Sequence, residues 1–169
     1  MRVFLGLDKP FLVQYWNYLS GLLQGNLGTS ITTRQPILEE IAVRLPFTVN
    51  LAVAAILLAT LVGIPIGMIA AVRKDSWLDQ LMTTTSLMGI SIPNFWLGSM
   101  LILLFSVKLG WFSTGGMTDF FWTKEGFRQA VLPAAALGMA VAAQFMRIGR
   151  NAMIGVIQTD YMRTAKAKG

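Results

Sequence analysis

The sequence predicts an all-α membrane protein, a polytopic helical bundle, and three observations carry that prediction. Of its 169 residues 54% are hydrophobic and 13% charged, a balance too apolar for a soluble domain of this size. Three stretches hold no charge at all: Leu45 to Val72, Leu81 to Val107 and Gln129 to Met146. About 20 apolar residues cross a hydrocarbon core, so the first two are ample and the third just suffices. The basic residues, finally, are unevenly spread. Arg73, Lys74, Arg147, Arg150, Arg163, Lys166 and Lys168 crowd the short segments 73–80 and 147–169. The longer segments 1–44 and 108–128 hold as many at about half the density, which puts 73–80 and 147–169 in the cytoplasm and the other two outside.

The elements follow in chain order. Residues 1–46 form an external segment, with nothing resembling a cleavable export signal at its start. Within it Phe11, Leu12, Tyr15, Trp16, Leu19, Leu22 and Leu23 share one arc of a helix, and Gln14, Asn17, Ser20 and Gln24 lie opposite. That pattern predicts an amphipathic helix on the outer membrane surface or on a partner, ended by the two glycines of GNLGTS. Residues 47–169 form a partial transmembrane domain with spans at about 47–72, 81–107 and 130–146. Trp111 and Trp122 in the outer loop and Trp77 in the inner one suit indole rings at the two interfaces.

Prolines punctuate the spans. In GISIPNFWLG, Pro93 removes a helical hydrogen bond and clashes with the preceding turn, so the second span must kink or break. Ser91 and Asn94 flank it, and either satisfy the freed groups locally or line a polar pathway. Pro65 in VGIPIG raises the same question. Pro133 is expected in the first turn of the third span, where proline is tolerated. Beyond it Ala134, Gly138 and Ala142 recur every fourth residue, a stripe that lets another helix approach closely.

After the third span an amphipathic helix is expected over 154–165, with Ile154, Ile157, Tyr161 and Ala165 on one face and Asp160, Arg163 and Lys166 on the other. It is either an interfacial helix held to anionic lipid or an element that docks into a soluble partner.

Several functions are excluded. Cysteine and histidine are both absent, which removes disulfides, Cys or His zinc sites, thiol nucleophiles and imidazole bases. No phosphate-binding G-x-x-x-x-G-K-[ST] occurs, so this chain should not hydrolyse a nucleotide by itself and needs no cofactor. The net charge of +6 sits in the loops between spans, which argues against nucleic acid. No ionisable residue lies within a span, whereas ion-coupled transporters commonly use one, so energy should come from elsewhere. A membrane scaffold or anchor and a secondary transporter remain as competing readings.

Four stretches carry a resemblance: LGLDKPFLVQYWNYLSGLLQGNLGTS at 5–30, GISIPNFWLG at 89–98, FSVKLGWFSTGG at 105–116 and DYMRTAKAKG at 160–169. Together they resemble the inner-membrane permease subunits of binding-protein-dependent ABC importers, in the dipeptide, oligopeptide and nickel branch. The resemblance implies a bundle of the MetI-like ABC permease type in a bacterial or archaeal plasma membrane. It implies as partners two ATPase subunits, a second permease subunit, an extracytoplasmic substrate-binding protein and membrane lipid. Peptides come first as substrate, then glutathione, then nickel.

DYMRTAKAKG resembles the first half of that family's cytoplasmic EAA loop, with Arg163, Thr164 and Ala165 at the triplet and Gly169 at its glycine. A coupling role in docking the ATPase is implied for Tyr161, Arg163, Thr164, Ala165, Lys166 and Gly169. The family pattern continues past the glycine and includes a further span at its start, so the chain is expected to be a fragment. Asn26 stands where the family has an aspartate.

Overall fold

A computed structural model describes residues 10–168, almost all of them helical outside short connections. The chain divides into two compact units, one ending at Pro46 and the other beginning at Phe47.

In the first unit, helix α1 covers Phe11–Leu23, and no residue on it is buried. It ends where Gly25 turns to a φ of 78°, a conformation that costs glycine little. Gly28 adopts the same φ, and its N–H donates to the Asn26 side-chain oxygen at 2.9 Å. The Asn26 carboxamide oxygen is thus the acceptor that closes this turn. Thr29 and Pro36 form an isolated bridge, Ser30 N–H donates to the Gln35 carbonyl at 2.9 Å, and the Thr33 hydroxyl donates to the Glu40 carboxylate.

Helix α2 covers Ile37–Val72, beginning ten positions before the expected span. It runs without interruption through Pro65. After a turn in which Asp75 takes a φ of 64°, α3 covers Trp77–Ser91 and α4 covers Asn94–Leu101, continued by a π-helical turn over Ile102–Lys108. The interruption expected at Pro93 is a full break: α3 and the segment 94–108 meet at 100°. Helix α5 covers Lys124–Ile157, and α6 covers Asp160–Ala167. Among the described residues α2 and α5 are each long and apolar enough to cross a membrane, and the bent pair supplies a third crossing if it is one span.

Two expectations are corrected. Pro133 does not lie in a first turn, because α5 starts at Lys124, where the Thr123 hydroxyl caps it by accepting from Gly126 N–H at 3.0 Å. The helix expected over 154–165 is divided. Ile154 and Ile157 end α5, Thr159 is extended at ψ 154°, and its hydroxyl donates to the Val156 carbonyl at 2.6 Å. Tyr161 and Ala165 therefore belong to a separate helix, α6.

Small residues bring α2 and α5 into backbone contact. A Cβ added at Gly63 would overlap the Ala142 carbonyl, one at Gly67 the Met146 carbonyl, and one at Gly138 would lie 2.9 Å from the Ala55 oxygen. Gly138 and Ala142 of the expected stripe thus face α2, and Ala134 is buried. With no hydrophobic drive between helices in lipid, such close approach lets dispersion hold them. Helices α3 and α4 pack on α5 beside Met139, Ala143 and Ala136. An apolar cavity of about 510 Å³ opens between α2, α3 and α5.

The loop before α5 is pinned from several sides. Asn50 accepts from Phe121 N–H at 3.1 Å, Thr118 and Gln129 bond through their side chains, and Arg128 donates to the Trp111 carbonyl at 3.2 Å. Phe120 stacks on Trp122 at 4.6 Å and on Phe47 at 6.1 Å.

Candidate functional site

The functional geometry centres on α5, because the broken helix packs against it and it leads directly into α6. At the break, the Ser91 hydroxyl donates to the Leu87 carbonyl at 2.9 Å and Ile92 N–H to the Met88 carbonyl at 3.1 Å. Pro93 takes φ −62° and ψ 130°, and its carbonyl accepts from Leu97 N–H at 3.0 Å as α4 begins. Ser91, Pro93 and Asn94 are together at this corner and all exposed. Ser91 already satisfies itself on the helix, whereas the Asn94 carboxamide makes no hydrogen bond among the described residues.

Toward the far end of α5 lies an arrangement that the sequence reading missed. Arg150 grips Asp79 with two parallel bonds, Nε to Oδ1 and Nη2 to Oδ2, both at 2.6 Å. This fork geometry is the strong form of the carboxylate pair. Asp79 is 4% exposed and is further held by Asp75 N–H at 3.1 Å and by the Thr83 hydroxyl at 3.5 Å. Its own N–H is capped by Ser76 Oγ at 3.3 Å. One carboxylate thereby ties together the 73–76 turn, the first turn of α3 and the last third of α5. The only sequence signal was positional: an acid just before the second charge-free stretch and a base just after the third. With 71 residues between them, no local pattern pairs the two.

Of the residues expected to dock a partner, Thr164 and Ala165 lie exposed on α6, and the Thr164 hydroxyl donates to the Asp160 carbonyl at 3.0 Å. Gly169 and the side chains of Tyr161, Arg163 and Lys166 lie outside the described residues. Only two residues, Gln158 and Thr159, separate α5 from α6.

Two helices of spanning length, with a proline-broken pair that supplies a third crossing if it is one span, define a multi-pass helical membrane protein. Comparison with known proteins makes the class specific. Residues 63–169 match the family described as "Binding-protein-dependent transport system inner membrane component", and residues 1–52 match the N-terminal part of such components. The chain belongs to this family, which is one of transport subunits and not of enzymes. Membership sets aside the scaffold and secondary-transporter readings.

All 169 residues are 43% identical to a glutathione transport system permease protein of Salmonella typhimurium, over 53% of that protein's length. They are 42% identical to the protein of the same name in Escherichia coli O6:H1, again over 53% of it. A putative peptide transport system permease protein of Brucella suis is 41% identical over the whole chain and 54% of its own length. The chain thus spans about half the length of the curated relatives it matches.

Proposed function

We propose that this chain forms part of the translocation pathway of an ATP-driven importer of peptides or glutathione, and passes the movement of an ATPase subunit from α6 into α5. The likeness of every residue to glutathione and peptide permeases is the observation that carries this reading. The substrate arrives on an extracytoplasmic binding protein, and a second permease subunit completes the pathway. Segments 73–80 and 147–168 face the cytoplasm; the segment up to Pro46 and the 108–123 loop face outward.

In the mechanism, ATP-driven approach of two ATPase subunits displaces α6. The two-residue hinge transmits that displacement to α5. Because Arg150 holds Asp79, α3 and the 73–76 turn move with it as one body, and the flexible place is the 100° corner at Pro93. Rotation there alters which side of the membrane reaches Ser91 and Asn94, which line the pathway. Rigid-body movement about a break of this kind is a common way to alternate access.

Uptake tests the function. The full-length subunit is reconstituted with its ATPase, binding protein and second permease in proteoliposomes. ATP-dependent accumulation of labelled dialanine or glutathione is the expected result, and accumulation of neither would refute it. For the docking role, Ala165→Asp should release the ATPase on co-purification, since a charge enters the face proposed to press on that subunit, while Arg163→Gln with Lys166→Gln should retain it. The reverse pattern would make α6 a lipid-bound helix. For the topology, cysteines placed at 76 and 124 of this cysteine-free sequence should react with an impermeant maleimide in intact cells only at 124.

A further inference from the structure

An open pocket of about 340 Å³, part polar and part apolar, lies on the side of α5 turned away from α2, lined by Ile90 of α3 and by Gln144, Arg147, Ile148 and Asn151. Positions 144, 147, 148 and 151 follow the i, i+3, i+4, i+7 rule and so share one face. The opposite face, Ala142 and Met146, is pressed against Gly63 and Gly67. Arg147 has no acidic partner among the described residues, in contrast to Arg150 three positions on, which is fully engaged by Asp79. Gln144 and Asn151 also make no side-chain hydrogen bond among the described residues. Arg147 is exposed at the end of the third charge-free stretch, and beside it the two exposed carboxamides leave their donors unused, an arrangement that offers an anion a ready set of partners.

We infer that Gln144, Arg147 and Asn151 form a carboxylate-binding subsite on the pathway, through which the acidic end of the substrate passes. This rests on the transport reading above, since peptides and glutathione carry carboxylates. The guanidinium supplies a planar fork of donors matched to a carboxylate, and the two carboxamides supply further N–H donors on either side of it along the helix. Ile90 sits one residue before Ser91, so the pocket adjoins the corner at which α3 breaks. Bending there would open or close the subsite. A single exposed cation flanked by neutral amides also binds an anion weakly enough to let it leave, as passage requires.

The test uses the complete transporter with Asn151→Cys, or Gln144→Cys should the first not assemble, as the only reactive thiol in this subunit. Anionic and cationic methanethiosulfonate reagents are applied, their rates normalised to a free thiol in solution. A field-focusing cationic cleft should favour the anionic reagent by at least about tenfold. Arg147→Gln should abolish that preference, Arg147→Lys should keep most of it, and excess glutathione or dialanine should slow the reaction only when position 147 is basic. No preference, or a preference unchanged by Arg147→Gln, overturns the subsite. Slowing by phosphatidylglycerol in the vesicles but not by substrate also overturns it, and identifies a lipid headgroup site. Uptake is measured on the wild-type complex in parallel: failure of uptake with an Arg147-dependent preference strikes the transport reading alone, and the converse strikes the subsite alone.

Discussion

Helix α5 is held along its length by two different kinds of physics. Through Gly138, Ala142 and Met146 it meets α2 backbone to backbone, and shape is everything: three glycines sit where a methyl group would overlap or crowd a carbonyl. One turn further on, at Arg150, it is held to α3 by a buried charge pair. The first region tolerates no added volume, and the second no unpaired charge. A close-packed seam through the middle fastens α5 to α2, and an ionic clasp near the end adjoining α6 fastens it to α3.

The clasp gives the largest expected effect. Arg150→Met leaves Asp79 charged and nearly fully buried with no counter-ion, and removing one partner of a buried pair typically costs about 3–5 kcal/mol. Thermal unfolding of the purified complex, followed by tryptophan fluorescence, should show a large fall. The double variant Asp79→Leu with Arg150→Met should recover much of the loss, because two apolar groups replace the pair without an orphaned charge. If the double variant is as unstable as the single one, the clasp is not an electrostatic device.

The seam comes next. Gly63→Val or Gly67→Val places a side chain against the Ala142 or Met146 carbonyl, and inserting volume into a close-packed contact costs about 1–3 kcal/mol or forces the helices apart. Neither should be rescued by any charge change. Smaller again is Ser76→Ala. It removes the hydroxyl that accepts from Asp79 N–H and should cost about 1 kcal/mol, the usual value of an N-cap. The loss should vanish in the background of the Asp79→Leu and Arg150→Met double variant only if the cap acts by orienting Asp79.

These regions also differ in how well the sequence disclosed them. Spans, the break at Pro93 and the close-packing stripe were legible because each is written locally: an absence of charge, a residue without an N–H, a four-residue period. Helix ends were not, because a charge-free run marks the hydrocarbon slab, and helices continue past it through Arg147 and Arg150 at one end and back to Lys124 at the other. Two signals for the true ends were nonetheless present, Thr123 three positions before Gly126 and Thr159 immediately before Asp160. Pro65 misled in the opposite direction: an apolar α2 packed against α5 absorbs a proline that a solvated helix would not. The Asp79–Arg150 clasp was invisible for a different reason, since only the tertiary fold brings its halves together.

The smallest effect is the sharpest check on the seam, and it concerns Gly89 of α3. A Cβ there would lie 3.5 Å from the Met139 side chain and 3.8 Å from the Ala143 Cβ, ordinary contact distances against flexible or small groups. Gly89→Ala therefore adds contact without overlap. It also relieves part of the entropic penalty of holding a glycine in helical conformation, at most about 0.5–1 kcal/mol in this last turn of α3. The apparent melting temperature should stay level or rise slightly, whereas the same substitution at Gly63 should lower it, because there the Cβ meets backbone that cannot rotate away. Both glycines lie on spanning elements and face α5, so composition and position do not separate them. Only the distance to the opposing backbone does. Equal losses at the two sites would mean that α3 approaches α5 as tightly as α2 does, and the contrast between a close-packed α2–α5 seam and a looser α3–α5 contact would fail.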